Sequence, residues 1–189
     1  MGRKPRRDKK DAEYINIPIQ EIVELLSLSV NLIIMLFFLD IDGVMVPAKG
    51  WKSPEFLNDG FPAFSSKATR TLQSLISAEV TVILTTSHKS KFSIEEWKSI
   101  FRNRGIDIEK LKSLPENINN LSRKDEIVNW FSVNNVDDDF VIIDDDQSLN
   151  ELPNFLKVKL VQTSPYIGLT EEHTATIKSI LSKGGQSAH

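Results

Sequence analysis

Apolar positions in this chain fall into short continuous runs, separated by longer stretches in which they recur at helical spacing. Leu32–Leu39 is one uninterrupted apolar run, the pattern of a strand buried on both faces. Val80–Leu84, Phe140–Ile143 and Val158–Val161 are three further expected strands. Between them the spacing predicts helices. Ser65 or Ser66 caps one that reaches about Ala78, with Ala68, Leu72, Leu75 and Ile76 on one face. Ser93 and Glu96 form a capping box for a second that runs to about Arg104 and stops at Gly105. Ser122 and Asp125 open a third through Ile127, Val128, Trp130 and Phe131 to Asn134-Asn135, and Thr170 begins a last one reaching about Leu181. A short strand is possible near Ile106–Ile108. Strands that alternate with helices and read as buried runs predict an α/β domain with a mostly parallel sheet.

The N-terminal part adds a basic tail. The first ten residues hold six Lys/Arg and one Asp, a local charge of +5 in a chain of net charge −3, which leaves −8 on the rest. So acidic a remainder does not suit a dedicated DNA binder, and the tail reads as a solvated end. Behind it, Ile22–Leu39 invites a membrane-anchor reading. Glu24, Ser27, Ser29 and Asn31 interrupt that run, and no small-residue cleavage site follows it. The better division is a short amphipathic helix over Pro18–Ser29 followed by the strand. Residues 1–31 are thus expected to be a basic tail with an accessory helix, and 32–183 the main domain, with no membrane association and a cytoplasmic location. Met35 opens the strand and is an alternative start.

With 189 residues, 40% of them hydrophobic, the chain can bury a core. It has no cysteine, which excludes disulfides, thiolate metal sites and a cysteine nucleophile. His88, His173 and His189 have no metal-ligand spacing, so a metal would sit on oxygen ligands.

Three strands end in chemically useful residues: Asp40-Ile41-Asp42-Gly43, Thr85-Thr86-Ser87 and Asp144-Asp145-Asp146. Active sites of such sheets lie at the carboxyl ends of the strands. Carboxylates gathered from two strands repel one another unless a cation joins them, and Mg²⁺, a hard ion taking carboxylate, phosphate and water oxygens, suits. Lys124 and Arg123 stand at a helix start between the second and third of these strands.

In that order, LFFLDIDGV, VILTT, a Lys opening a helix and FVIIDD resemble the four motifs of the haloacid dehalogenase (HAD) superfamily over residues 32–181. Arg123–Phe131, the Asp run and Gly168-Leu169-Thr170 more narrowly resemble a minimal-cap branch that includes domains attached to RNA-repair proteins. The resemblance implies a Rossmann-like three-layer fold and a Mg²⁺-dependent phosphatase that works through an aspartyl-phosphate. It casts Asp40 as nucleophile and metal ligand, and Asp42 as general acid/base with its main-chain carbonyl on the metal. Asp144 and Asp145 become metal ligands and Asp146 a turn residue. Lys124 becomes the cation that balances the nucleophile, with Arg123 as the alternative and a substrate contact. One hydroxyl should grip phosphate, Thr86 being favoured with Thr85 facing the sheet, and Ser87 beside them. His88 and Lys89 are expected as solvated loop residues. Val44 replaces the Thr that often follows the Gly of the first motif.

Residues 44–64 are too few for a large cap and suggest a small flap carrying Trp51, Phe56, Phe61 and Phe64, at least two of them buried to hold it. An open site suits a phosphate on something large, such as a nucleic-acid end. A small-metabolite phosphatase and a non-catalytic, receiver-like phosphate-binding module are the competing readings. A receiver domain places its phosphorylated Asp on a later strand and its Lys last, whereas Lys124 precedes the Asp144 strand here.

Overall fold

The computed structural model describes residue 18 and residues 34–49, 54–136 and 139–182. All but the first of these belong to the unit Ile33–His189, and only that unit is described. The expected helix over 18–29, apart from residue 18, and the basic tail and Trp51 lie outside the described residues. None of the described helices is long and apolar enough to cross a membrane.

Five strands, β1 (Met35–Leu39), β2 (Val80–Leu84), β3 (Lys110–Ser113), β4 (Asp139–Asp144) and β5 (Leu160–Gln162), form one all-parallel sheet in the order β3-β2-β1-β4-β5. The helices are α1 (Ser66–Gln73), α2 (Ile94–Arg102), α3 (Arg123–Val133), α4 (Asn154–Lys157) and α5 (Glu172–Ser182), with a 3-10 turn at Gln147–Glu151.

Strand alternation separates two apolar layers. Phe37 and Leu39 of β1 share one core with Trp97 and Phe101 of α2 and Ile177 of α5. Leu36 and Phe38 face the other, against Ile127, Trp130 and Phe131 of α3. Phe38 lies at its centre, with ring centroids 4.9 Å from Trp130 and 5.1 Å from Phe131. The three-layer expectation therefore holds, with every strand parallel.

The expected strand at 106–108 is corrected. Ile106 and Ile108 are buried, but the pairing segment is Lys110–Ser113. Being an edge, β3 needs hydrogen bonds on one side only, which a sequence as polar as Lys-Leu-Lys-Ser satisfies by pairing with β2. Helix α1 stops at Gln73, short of Ala78, because Ser74 caps it and its hydroxyl donates to the Thr71 carbonyl. The stretch after Asp146 contains the 3-10 turn and α4, both too short to leave a periodic signal.

The described residues of the flap pack into the core that contains α2. Phe61 and Phe64 are buried, as expected, while Phe56 is exposed. Arg104 ties the flap down by donating to the carbonyls of Pro62 and Phe61 and to Asp59. Those guanidinium hydrogen bonds hold the Asp59 carboxyl well below its usual range.

Candidate active site at the carboxyl edge of the sheet

The strand pairings fix which side chains meet. Leu39 pairs with Leu84 on one side and Ile143 on the other, and Thr85 N–H and Asp40 N–H continue the ladders to Leu39 O and Ile143 O. Asp40, Thr85 and Asp144 thus emerge side by side. By alternation they continue the rows of Phe38, Ile83 and Ile142, so they face the layer that contains α3.

Helix α3 starts immediately at that edge. Ser122 caps it, accepting from Asp125 N–H. Ile127, fully buried, fixes its inward face, and Arg123 lies one turn earlier on the same face. Its Nη2 donates to Asp40 Oδ1 at 3.2 Å, and its Nε is 3.3 Å from Asp144 Oδ2. Lys124, one residue on, points elsewhere: its Nζ is 3.2 Å from Glu151 and 3.9 Å from Asp125. The structure brings Arg123, and not Lys124, to the carboxylates.

Thr85 and Thr86 also differ from expectation. Thr85 does not lose its hydroxyl in the sheet; Oγ1 donates to Asp144 Oδ2 at 3.3 Å. Thr86 is fully buried and its Oγ1 accepts from His88 N–H. Ser87 lines the cavity in front of the carboxylates, about 330 Å³ in volume, together with Asp42, Asp145, Arg123 and Lys49. Asp146 is a turn residue as expected, capping the 3-10 turn by accepting from Ser148 N–H.

His88 and Lys89 are not solvated loop residues. His88 Nε2 lies 2.8 Å from Asp42 Oδ2, and its ring meets Phe61 edge-on. The Lys89 side chain is 3% exposed and its Nζ donates to Glu126 at 2.6 Å. Neither contact could be read locally, since Glu126 is 37 residues from Lys89 in sequence.

Gly43 lets Asp145 join the cluster. Its φ of +79° is a left-handed conformation, and a Cβ there would overlap the Asp145 carboxylate. The loop is pinned by Thr163, whose hydroxyl donates to Gly43 O at 2.8 Å. Gly43→Ala is therefore expected to destabilise the fold by about 1–3 kcal/mol. It should also displace Asp145, so that both the melting midpoint and its rise on adding Mg²⁺ shrink.

Carboxylate oxygens of Asp40, Asp144 and Asp145 lie within 4.8 Å of one another. Burial, then the neighbouring Asp144, pushes the Asp40 carboxyl well above its usual range. Burial raises Asp144 to about 6 against the opposing pull of Arg123, and burial also raises Asp145. One guanidinium does not offset three gathered carboxylates, and all donors are hard oxygens, so the cluster fits a divalent cation of the Mg²⁺ type.

The unfolded chain releases the Asp144 proton near 3.8 and the folded chain holds it to about 6. The stability this group contributes is full below 3.8 and is lost as pH rises through about 6. Melting of the metal-free protein should thus fall from pH 4 to pH 7, and added Mg²⁺ should raise it more at pH 8 than at pH 5. A metal-free melting point that climbs over that range would contradict the cluster's electrostatics.

A family model described as the HAD domain in Swiss Army Knife RNA repair proteins matches residues 36–174. No curated protein and no solved structure matches the chain. The matched span runs from β1 to the start of α5 and includes every carboxylate of the cluster, Thr85 and Arg123. The chain belongs to the family of HAD domains found in Swiss Army Knife RNA repair proteins.

Proposed function

We propose that this protein is a Mg²⁺-dependent phosphomonoesterase acting on phosphorylated ends of nucleic acid, with Asp40 as nucleophile. The observation that carries the reading is Arg123. It is nearly buried against Asp40 and Asp144, yet its Nε and Nη1 have no hydrogen-bond partner among the described residues. Buried guanidinium donors left without a hydrogen bond beside a nucleophile suit a phosphoryl oxygen.

Asp40 attacks phosphorus and forms an aspartyl-phosphate while the bond to the ester oxygen breaks. Asp42, half-exposed at the cavity and held by His88, gives its proton to that leaving oxygen. Asp42 then takes a proton from water, whose oxygen attacks phosphorus, and the bond to Asp40 breaks to release phosphate. Arg123 steadies the charge on the transferring group. Thr85 orients Asp144, and Ser87 and Lys49 stand where the substrate enters. Asp40, Asp144 and Asp145 would hold the Mg²⁺, with the Asp42 carbonyl as a further donor. When bound, the ion neutralises phosphoryl charge and aligns it with Asp40.

One observation favours a large substrate: the RNA-repair context of the matched family. The test is a phosphate-release screen with Mg²⁺ across sugar phosphates, nucleotides and 3′- or 5′-phosphorylated oligonucleotides, with a chelated control. The expected result is chelator-sensitive release with the highest kcat/KM on an oligonucleotide end. Better turnover of a sugar phosphate at matched salt would make it a small-metabolite phosphatase, and release that ignores chelation would reject the metal-dependent reading.

A further inference from the structure

Lys89 is an unusual residue to bury. Its side chain is 3% exposed, and its partner Glu126 is 10% exposed. A buried ion pair is a weak source of stability, often matched by an apolar pair, so its place in the fold matters more than its strength. Lys89 sits just beyond the Thr85-Thr86 end of β2, and its backbone is fixed twice. Its N–H donates to Thr86 O, and its carbonyl accepts from the Trp97 indole N–H. From that anchored position its ammonium reaches Glu126 Oε1 at 2.6 Å. The other carboxylate oxygen, Oε2, is 3.7 Å from Arg123 Nη1, within ion-pair range but too long for a hydrogen bond. Glu126 is one turn after Arg123 on α3.

We propose that Lys89 and Glu126 are positioning residues for Arg123: Lys89 holds the Glu126 carboxylate off the guanidinium, leaving Arg123 to face Asp40 and a phosphate. The inference rests on the phosphatase reading for what Arg123 does, and on the contacts above for how it is held. Without the Lys89 ammonium, Glu126 is an unpaired buried carboxylate less than 4 Å from an arginine with free donors. It would close on Nη1, drawing the guanidinium from Asp40 and neutralising it for an incoming anion. Without the Glu126 carboxylate the guanidinium keeps its full charge but loses its lateral support.

The two single variants therefore differ in sign on anion binding. Lys89→Met should weaken inorganic phosphate about 10-fold and lower kcat. Glu126→Gln should lower kcat while leaving phosphate affinity unchanged or tighter. The Lys89→Met/Glu126→Gln double variant should recover phosphate affinity to within about 3-fold of the parent, the non-additivity expected of residues in one network.

The experiment is calorimetric titration of inorganic phosphate with Mg²⁺ into the parent, both single variants and the double variant. Steady-state kinetics on an aryl phosphate run in parallel, at a temperature where melting curves show each variant folded. A purely structural pair would weaken both single variants alike, or change neither once folded, and either result overturns the proposal. So does a double variant that binds phosphate no better than Lys89→Met. If Lys89→Met does not fold, Glu126→Gln decides alone: phosphate binding weakened about 10-fold overturns the proposal, and retained binding with reduced kcat supports it. Should the parent hydrolyse no ester at all, the phosphatase reading fails by itself, and the calorimetric comparison still decides the positioning claim.

Discussion

Asp40→Asn is expected to abolish phosphate release, by about 10⁴-fold or more on an aryl phosphate, and to make the metal-free protein more stable at pH 8. A carboxamide keeps the shape of the side chain but cannot attack phosphorus, and loss of a nucleophile is among the largest single-residue effects in catalysis. The gain in stability has a different origin. Burial and Asp144 hold the Asp40 carboxyl far above its usual range, so ionising it in the folded state costs free energy that the neutral amide does not. The two effects are read by kinetics and by melting of the chelated protein. A variant that is inactive because it is unfolded would show the opposite melting shift and would not support the nucleophile assignment.

Arg123→Met is expected to lower kcat/KM about 100-fold or more, whereas Lys124→Met should change it less than about 3-fold. A preorganised charge aimed at the transferring group is worth roughly two to three orders of magnitude. Arg123 is the cation whose Nη2 reaches Asp40. Lys124 pairs with Glu151, whose side chain is 76% exposed, and such surface pairs contribute little. The metal-free Arg123→Met protein should also melt lower at pH 8, because it loses the charge that opposes repulsion between Asp40 and Asp144. Equal losses for the two variants would place both cations in the site and contradict the geometry.

The contrast between these neighbouring residues shows what the sequence does and does not disclose. The strand-ending carboxylates were legible because β1, β2 and β4 are buried apolar runs whose ends are marked by the change to Asp or Thr. The start of α3 was legible from Ser122 and Asp125. Which cation faces inward depends on helical phase, since adjacent helix residues point about 100° apart. Ile127, Trp130 and Phe131 define the apolar face, and counting back from Ile127 by four reaches Arg123, so the signal was present. The same parity argument on β2 favours Thr85, which continues the row of Ile83 into the cluster. His88 and Lys89 are different in kind. Their partners, Asp42 and Glu126, arrive through tertiary packing, and nothing in a loop sequence distinguishes a solvated Lys from one paired beneath a helix. The edge strand β3 leaves little trace in the sequence, because pairing on one side demands so little of its side chains.

Covalent capture of the intermediate tests the central claim most directly. The folded protein, with Mg²⁺ and a turning-over phosphomonoester, is treated with borohydride, which reduces an acyl phosphate to the alcohol, and the peptides are read by mass spectrometry. The account predicts homoserine at position 40 alone, dependent on both substrate and Mg²⁺, and absent when Asp42 is intact but Asp40 is replaced by Asn. Phosphate release at full rate with position 40 unmodified, or reduction at Asp144 or Asp145 in its place, would contradict it.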